Sequence, residues 1–165
     1  MPDTNPIRVL FVCMGNICRS PAAEAVLRQL VEDRGLEEVV EIDSAGTIGY
    51  HAGNPPDSRM SQSGEERGIE IHGQARQVTF EDLRLFDRVI ALDQENLADL
   101  ESLAGGSSSH IRLLSSYLPV GSLVDVPDPY YGGEAGFRQV LDMLEEAAPA
   151  ILQDLESAFE QSFDS

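Results

Sequence analysis

Apolar residues follow two kinds of pattern along this chain. Short continuous apolar runs are typical of strands that are buried within a sheet. Longer stretches place apolar residues three or four positions apart, which is typical of amphipathic helices. The predicted strands cover residues 7–13, 38–42, 86–92 and 110–114. The predicted helices cover residues 22–34, 57–67, 94–103 and 134–148, with Pro149 as a kink or end before a further helical piece at 151–159.

The predicted strands alternate with the predicted helices. This alternation favours an α/β fold, a single-domain three-layer sandwich in which a small twisted parallel sheet of about four strands carries helices on both faces. The length of 165 residues is typical of one domain, and we predict a single domain that covers residues 1–165. We expect about the last ten residues to be frayed. Ligands of such sheets bind beyond the carboxyl ends of the strands, so the segment after the first strand is the first candidate site.

The first strand ends at Cys13, and the residues after it are suited to binding an anion. A loop, Met14-Gly15-Asn16-Ile17-Cys18-Arg19, leads to Ser20-Pro21, which predicts a helix start with serine as the N-cap. A helix N-terminus presents unpaired backbone N–H groups and a positive dipole end, which attract an anion and stabilise a thiolate. Arg19 adds a planar fork of donors that fits a tetrahedral oxyanion. The sequence therefore predicts a phosphate loop at the end of strand 1, with Cys13 as the nucleophile.

The composition limits the binding partners and the cellular compartment that we expect for this protein. The net charge of -18 argues against nucleic acid and anionic membranes as partners. It also opposes anion binding, so phosphate affinity is expected to improve with modest salt. We expect a cytoplasmic protein, because the sequence shows no signal peptide and no apolar run of about 20 residues, and both cysteines lie in one loop. Three scattered histidines give no metal-ligand spacing, and we expect no metal and no cofactor.

Several short motifs resemble those of the low-molecular-weight protein tyrosine phosphatases. They are C-M-G-N-I-C-R-S-P at 13–21, D-S-A-G at 43–46, G-N-P-P-D-S-R at 53–59, A-R-Q-V at 75–78, L-D-Q-E-N at 92–96 and D-P-Y-Y-G at 128–132. The resemblance covers nearly the whole chain apart from the last dozen residues. It implies hydrolysis of phosphotyrosine in proteins, or of small aryl phosphates, by a monomer or weak dimer, with a tyrosine kinase as a candidate partner.

The resemblance also implies roles for the loop residues. Cys13 would form a phosphocysteine, and Arg19 would bind the phosphate with the rest of the loop: Met14, Gly15, Asn16, Ile17, Cys18 and Ser20. Ser20 matches a family serine whose hydroxyl donates to the thiolate, although a helix cap alone would account for a serine here. Cys18 matches the family's second loop cysteine, which can form a reversible disulfide with the nucleophile. A small apolar loop residue is an equally good interpretation of Cys18.

The resemblance also implies roles for an acidic residue in the C-terminal part of the chain and for a polar pair beside the phosphate loop. Asp128, in a proline-stiffened loop, matches the family's general acid and base, whereas nearby Asp125 does not fit the motif. Asn16 and Ser44 match a polar pair that braces the phosphate loop, and Asn16 tolerates a left-handed backbone. The family places a histidine three residues before the arginine of A-R-Q. Here that position is Gly73 and His72 lies one place earlier, so either the turn is bulged or the histidine role is lost.

Specificity is expected from aromatic residues at the rim. Tyr130 and Tyr131 follow Asp128, and Tyr50 lies where the family places an aromatic wall. Aromatic faces stack on a phenyl ring, and Met14 and Ile17 add an apolar floor. A deep slot of this kind would admit phosphotyrosine and leave the shorter phosphoserine out of reach of the sulfur.

Three other functions fit these residues less well. A thiol-linked arsenate reductase needs further cysteines downstream, and none follows Cys18. A protein-arginine phosphatase resembles C-x-G-N-T-C-R, and Ile17 stands where that motif has threonine. A phosphate-binding module without catalysis is disfavoured because Cys13, Arg19 and Asp128 are all present.

Overall fold

A computed structural model describes residues 5–129 and 133–163 of the chain. Its sheet has four parallel strands in the order β2-β1-β3-β4. The strands are β1 (Ile7–Cys13), β2 (Val40–Gly46), β3 (Arg88–Ala91) and β4 (Ile111–Leu113). The helices are α1 (Arg19–Asp33), α2 (Ser58–Glu65), α3 (Phe80–Leu85), α4 (Gln94–Ala104), α5 (Glu134–Ala158) and α6 (Glu160–Phe163), and a 3₁₀ turn covers Leu114–Tyr117. The predicted α/β class and the four parallel strands are confirmed.

β1 lies between β2 and β3, and its alternate residues enter two separate cores because strand side chains alternate. Val9 and Phe11 are buried in the core formed with α1, α2 and α5. Leu10 and Val12 are buried in the core formed with α3 and α4. The three predicted layers are therefore present, and Cys13 lies at the carboxyl end of a central strand.

The predicted helix start, with Ser20 as the N-cap, is wrong by two residues. α1 begins at Arg19, and its N-cap, Cys18, makes no side-chain capping hydrogen bond. Ser20 is the second helical residue and its hydroxyl is directed at Cys13 instead of at the helix N-terminus. By contrast, Asp57 caps α2 as predicted, accepting a hydrogen bond from the backbone N–H of Arg59.

Two predictions of strand and helix extent are also wrong. β2 starts two residues later than predicted and runs on to Gly46, because an edge strand exposes one side and tolerates polar residues such as Glu41. The prediction missed the short helix α3, which a capping box between Thr79 and Asp82 starts.

The C-terminal helix differs from its prediction in continuity. α5 runs unbroken from Glu134 to Ala158 with Pro149 inside it, so the predicted end of the helix at Pro149 is wrong. Buried residues continue on both sides of the proline, from Phe137 to Leu155, and their packing compensates for the one lost backbone hydrogen bond. The described chain ends in the short helix α6, and Phe163 packs against the main core. Within the described chain no helix combines the length and the hydropathy that a membrane span requires.

Candidate active site

The loop after β1 folds round the sulfur of Cys13. Cys13 is 2% exposed, and its Sγ lies 3.0 Å from the hydroxyl of Ser20. The backbone N–H of Asn16 donates to the same sulfur at 3.3 Å. Within the described chain, the backbone N–H groups of Gly15, Ile17 and Cys18 donate to no protein acceptor, and all three residues line the pocket above the sulfur. The loop therefore surrounds the sulfur with hydrogen-bond donors.

Asn16 and Gly46 make the tight path of this loop possible. Asn16 has φ of 59°, the left-handed backbone that the sequence predicted. Gly46, at the end of β2, lies directly beneath the loop, and a Cβ there would come 2.7 Å from the carbonyl oxygen of Met14. Only glycine fits at Gly46 without displacing the phosphate loop.

The side chain of Asn16 fixes the direction of the hydrogen bonds around Cys13. Its Oδ1 accepts from the backbone N–H of Arg76 at 3.0 Å, so its NH₂ group faces the hydroxyls of Ser20 (2.8 Å) and Ser44 (3.1 Å). Each hydroxyl accepts from Asn16 and keeps its own proton for another partner. The proton of Ser20 therefore has two acceptors, the sulfur of Cys13 at 3.0 Å and the more distant carbonyl of Ala45 at 3.4 Å. Asn16 and Ser44, which the sequence analysis paired, are hydrogen-bonded to each other.

The proton of Ser44 goes to Glu24, a residue to which the sequence assigned no role. The Ser44 hydroxyl donates to Glu24 Oε1 at 2.6 Å, and the other Glu24 oxygen pairs with Arg28 one turn along α1. Glu24 thus ends a chain of hydrogen bonds that starts at Cys13. A charged acceptor at this end holds every donor in the chain in one orientation.

Arg19 is a buried cation whose side chain is held from two sides. It is 4% exposed, and its Nη1 donates to Asp93 Oδ2 at 2.6 Å and to the carbonyl of Val126 at 3.1 Å. Burial acts to lower the pKa of Arg19, but the charges of Cys13, Asp93 and Asp128 and the hydrogen bond to Asp93 outweigh it and raise that pKa. The guanidinium therefore stays charged beside the sulfur.

Asp128 reaches the pocket and Asp125 does not. Asp128 Oδ2 lies 3.9 Å from Arg19 Nη2, and its side chain is 42% exposed at the pocket mouth. Asp125 turns away and accepts a hydrogen bond from the backbone N–H of Gln94 at 2.9 Å. Pro127 and Pro129 flank Asp128 and stiffen its backbone.

These residues enclose a pocket of about 290 Å³ with the Cys13 sulfur at its floor. The lining residues are Cys13, Met14, Gly15, Ile17, Cys18, Arg19, Tyr50, His51 and Asp128. The donors and the guanidinium can hold a tetrahedral oxyanion against a nucleophilic sulfur, and a carboxyl group stands at the opening to exchange protons. Within residues 5–129 and 133–163, no three His, Cys, Asp or Glu side chains come together as a metal site.

Comparisons with known proteins agree with this geometry. The family model described as low molecular weight phosphotyrosine protein phosphatase matches residues 8–161. The chain belongs to this family. The human protein of that name is 43% identical over 148 residues, which are 88% of this chain and 93% of the human one. The family is one of protein-tyrosine-phosphatases, so the chain is an enzyme of that class.

Two solved structures are similar to the whole phosphatase fold. The crystal structure of YfkJ from Bacillus subtilis superposes with a TM-score of 0.89 at 43% identity, covering 95% of this chain and 99% of YfkJ. The crystal structure of a Drosophila arginine phosphatase superposes with a TM-score of 0.84 at 34% identity, covering 91% and 98% of the two chains. The same fold therefore occurs in a relative named a protein-tyrosine-phosphatase and in one named an arginine phosphatase.

The predicted rim of the phosphatase pocket is described only in part. Tyr50 lines the pocket and is 83% exposed, so its ring stands at the mouth. Tyr130 and Tyr131 lie outside the described residues. His51, which sequence reasoning missed, also lines the pocket, and its ring meets that of Tyr50 edge to face at 4.8 Å. The ring edge of His51 lies over Gly15, so that a Cβ on Gly15 would come 3.0 Å from it.

The structure places His72 beside the hydrogen-bond network of Asn16, Ser44 and Glu24 but not within it. Gly73 has φ of 117°, and the exposed His72 lies beside a cavity of about 60 Å³ that Asn16, Ser44 and Glu24 also line. Within the described chain, however, the His72 ring makes no hydrogen bond. Ser44 already donates to Glu24, which supplies the acceptor at the end of the chain.

Asp93 is the second residue that sequence reasoning missed. The motif L-D-Q-E-N contains it, and the hydrogen bond to Arg19 joins residues 74 apart in the sequence. A usable signal was present, because Asp93 follows the third strand directly and the carboxyl ends of parallel strands meet at one edge.

Proposed function

We propose that this phosphatase hydrolyses phosphotyrosine and related aryl phosphate monoesters through a phosphocysteine on Cys13. The observation that carries the proposal is the placement of three groups in one pocket. The Cys13 sulfur lies at the floor, the Arg19 guanidinium lies beside it, and the Asp128 carboxyl group stands 3.9 Å from that guanidinium at the mouth.

In the first step the Cys13 thiolate attacks phosphorus in line with the bond to the leaving oxygen. The S–P bond forms as the P–O bond to the aryl group breaks, and Asp128 gives its proton to the leaving oxygen. Arg19 and the backbone N–H groups of Gly15, Ile17 and Cys18 bind the three equatorial oxygens, where negative charge is spread in the transition state.

In the second step water hydrolyses the phosphocysteine. Asp128, now a carboxylate, takes a proton from the water as its oxygen bonds to phosphorus, and the S–P bond breaks. The thiolate that leaves is stabilised by the Ser20 hydroxyl at 3.0 Å and the Asn16 N–H at 3.3 Å. Inorganic phosphate is released and the enzyme returns to its starting state.

The shape of the pocket supports an aryl substrate. Cys13 is buried, while Met14 and Tyr50, 43% and 83% exposed, stand at the opening. A phosphate that reaches the sulfur therefore needs a long, flat connector, which tyrosine provides and serine does not. We propose the cytoplasm as the setting, a monomer or weak dimer as the working form, and a protein phosphorylated by a tyrosine kinase as the partner. That residues 1–165 form one domain is part of the same proposal.

Hydrolysis of p-nitrophenyl phosphate, with chelator present, tests the mechanism. The wild type should turn over, Cys13→Ser should not, and Asp128→Asn should lose about 10²- to 10⁴-fold in kcat. Asp99→Asn, which removes an exposed carboxylate from α4, is the matched control and should keep full activity. Full activity in Cys13→Ser, or phosphate binding by the wild type without turnover, would overturn the proposal.

Paired peptides that carry phosphotyrosine or phosphoarginine separate the two substrate classes. We expect phosphotyrosine to be preferred, because the apolar Ile17 lines the pocket where the sister family has threonine. A higher kcat/KM for phosphoarginine would instead favour the activity that the name of the Drosophila relative gives. Arsenate reduction is not expected, because the chain has no third cysteine to pass on a disulfide.

A further inference from the structure

All of the fixed positive charge of this protein is engaged in ion pairs. The sequence has eleven arginines and no lysine, and each arginine lies within 4.0 Å of at least one carboxylate oxygen. Acidic residues number 29, so many carboxylates have no arginine to pair with. The distribution of these unpaired carboxylates determines the electrostatic potential that a substrate meets.

The loops at the carboxyl edge of the sheet, which surround the pocket, carry an excess of negative charge. Residues 47–57, 92–95 and 119–129 contain Asp57, Asp93, Glu95, Asp125 and Asp128, and they contain no arginine. Two arginines adjoin these loops, and both are already neutralised. Arg19 pairs with Asp93 at 2.6 Å, and Arg59 pairs with Asp57 at 3.1 Å.

Two of these loop carboxylates are exposed, and in the described chain no cationic side chain is paired with them. Asp125 and Glu95 make no ion pair with any residue of the described chain. Asp125 does not line the pocket, but it is held close to it, because its carboxylate accepts from the Gln94 N–H and the preceding residue, Asp93, holds Arg19. Glu95 lies in the first turn of the same helix, α4.

Apolar side chains lie next to these carboxylates. Leu123 and Val124 directly precede Asp125 and are 53% and 51% exposed. Exposed aliphatic groups beside a carboxylate suit arginine and lysine, whose methylene stems pack on apolar surface while the charged end reaches an anion. An acidic flanking residue near Asp125 and Glu95 would be repelled by like charge.

We propose that the phosphatase selects phosphotyrosine segments with arginine or lysine beside the phosphotyrosine, and rejects segments with acidic neighbours. The inference rests on the proposed function, since the phosphate position is the pocket above Cys13. Arg19 and the loop N–H groups bind the phosphate there, while Asp125 and Glu95 select the flanks by charge. The flanking cations also offset the repulsion between a dianionic phosphate and a protein of net charge -18.

Two phosphotyrosine peptides of equal length, one with two arginines on each side and one with two aspartates, test the inference. At low salt we expect kcat/KM to be at least about tenfold higher for the arginine peptide, and the ratio to shrink at about 0.3 M salt because the charges are exposed. In Asp125→Asn/Glu95→Gln the same ratio should fall about threefold or more, because two of the selecting charges are gone. The asparagine of this variant can still accept from the Gln94 N–H through its amide oxygen, so the loop keeps its anchor.

The double variant Glu37→Gln/Glu38→Gln is the matched control. It removes the same charge from exposed residues of the segment before β2, at the opposite edge of the sheet, and should leave the peptide ratio unchanged. Equal kcat/KM for the two peptides, or equal ratios in the two double variants, would overturn the inference.

A second measurement separates this inference from the proposed function. The same peptides, carrying a fluorescent label, are bound to Cys13→Ser, and fluorescence anisotropy measures their affinity. A tighter complex with the arginine peptide would support charge selection even if the wild type failed to hydrolyse any phosphate monoester. No difference in affinity, together with normal hydrolysis of p-nitrophenyl phosphate, would overturn the charge selection and leave the proposed function standing.

Discussion

Asp93 holds Arg19 with one carboxylate oxygen and the start of α4 with the other. Its Oδ2 lies 2.6 Å from Arg19 Nη1, and its Oδ1 accepts from the Asn96 N–H at 2.7 Å. The positive end of the α4 dipole stabilises the carboxylate, and the carboxylate in turn fixes the direction of the guanidinium. The loop after β3 thereby positions a group that belongs to the loop after β1.

Asp93→Asn tests this positioning. The asparagine Oδ1 can still cap α4, but the charge that orients Arg19 is lost. We expect kcat/KM for p-nitrophenyl phosphate to fall about 10- to 100-fold, since small displacements of a transition-state donor have effects of that size. The free energy of unfolding should change by about 1 kcal/mol or less. If Arg19 is positioned by the loop alone, the kinetic constants of the variant will match those of the wild type.

Glu24→Ala tests the chain of hydrogen bonds that ends at Glu24. Without this acceptor the Ser44 hydroxyl can rotate, the orientation of Asn16 is less firmly held, and the Ser20 proton is held less firmly on Cys13. We expect kcat to fall about fivefold and a burst of p-nitrophenol to appear, because thiolate departure in the second step is slowed. Arg28→Gln is the control, since it removes the ion pair of Glu24 but leaves the bond from Ser44. A similar loss in both variants would assign the effect to helix α1 as a whole.

The phosphate loop could be predicted because its signals are local. A buried strand, a cysteine, a glycine-containing loop and an arginine follow one another within thirteen residues, 7–19, so no long-range contact is needed to bring them together. The serine-proline pair still misled the prediction of the helix start. Ser20 donates to the sulfur of Cys13, and this tertiary contact replaced the capping role that the local pattern favours.

Local pattern gave no role for Glu24, and for Asp93 it gave only a place at the carboxyl edge of the sheet, without the partner. Glu24 resembles any helix surface carboxylate, and only the position of β2 next to β1 brings Ser44 within 2.6 Å of it. Asp93 has the appearance of an ordinary helix cap, and it is one, but it reaches Arg19 because β3 also pairs with β1. Strand order determines both contacts, and the sequence patterns predicted parallel strands without giving their order.

Asp154→Asn tests a cluster that holds α5 on the sheet. Asp154 accepts from Arg88 at 2.9 Å and from the Tyr117 hydroxyl at 2.7 Å, and it lies 3.1 Å from Arg112. Because the site is partly exposed, we expect the variant to lose about 2 kcal/mol in the free energy of unfolding at pH 7, measured by urea denaturation. Glu156→Gln, on the same helix with a weaker exposed pair at 3.8 Å, should change it by less than about 0.5 kcal/mol.

The Asp154 cluster also predicts a pH dependence. Burial acts to raise the pKa of Asp154, but the hydrogen bonds from Arg88 and Tyr117 and the charges of Arg88 and Arg112 outweigh it and lower that pKa. The stabilisation is therefore complete above the unfolded value of about 3.9 and is lost as pH falls through the lower folded value. The difference in stability between wild type and Asp154→Asn should be constant from about pH 5 to 8 and narrow below about pH 4. A difference that widens in acid would contradict this.

Cys18 lines the same pocket as Cys13 and is held as a thiol. Burial, followed by the charges of Asp57, Cys13 and Asp128, raises the pKa of Cys18 to about 12. Peroxide converts the Cys13 thiolate to a sulfenic acid; the Cys18 thiolate then attacks that sulfur, the S–S bond forms, and hydroxide leaves. Since burial remains after Cys13 is oxidised, the Cys18 thiolate stays scarce at neutral pH.

We therefore expect disulfide closure after peroxide treatment to accelerate with pH, by about tenfold per unit between pH 7 and 9, because the thiolate is the attacking form. Mass spectrometry of the alkylated protein measures the closed fraction, and activity regained on adding a thiol measures protection. Cys18→Ala should raise the irreversibly oxidised fraction at pH 9 and change it little at pH 7, where closure is too slow to compete with further oxidation. Equal closure rates at the two pH values would show that Cys18 reacts as a thiolate already at neutral pH, which would mean that the buried position seen here opens when Cys13 is oxidised.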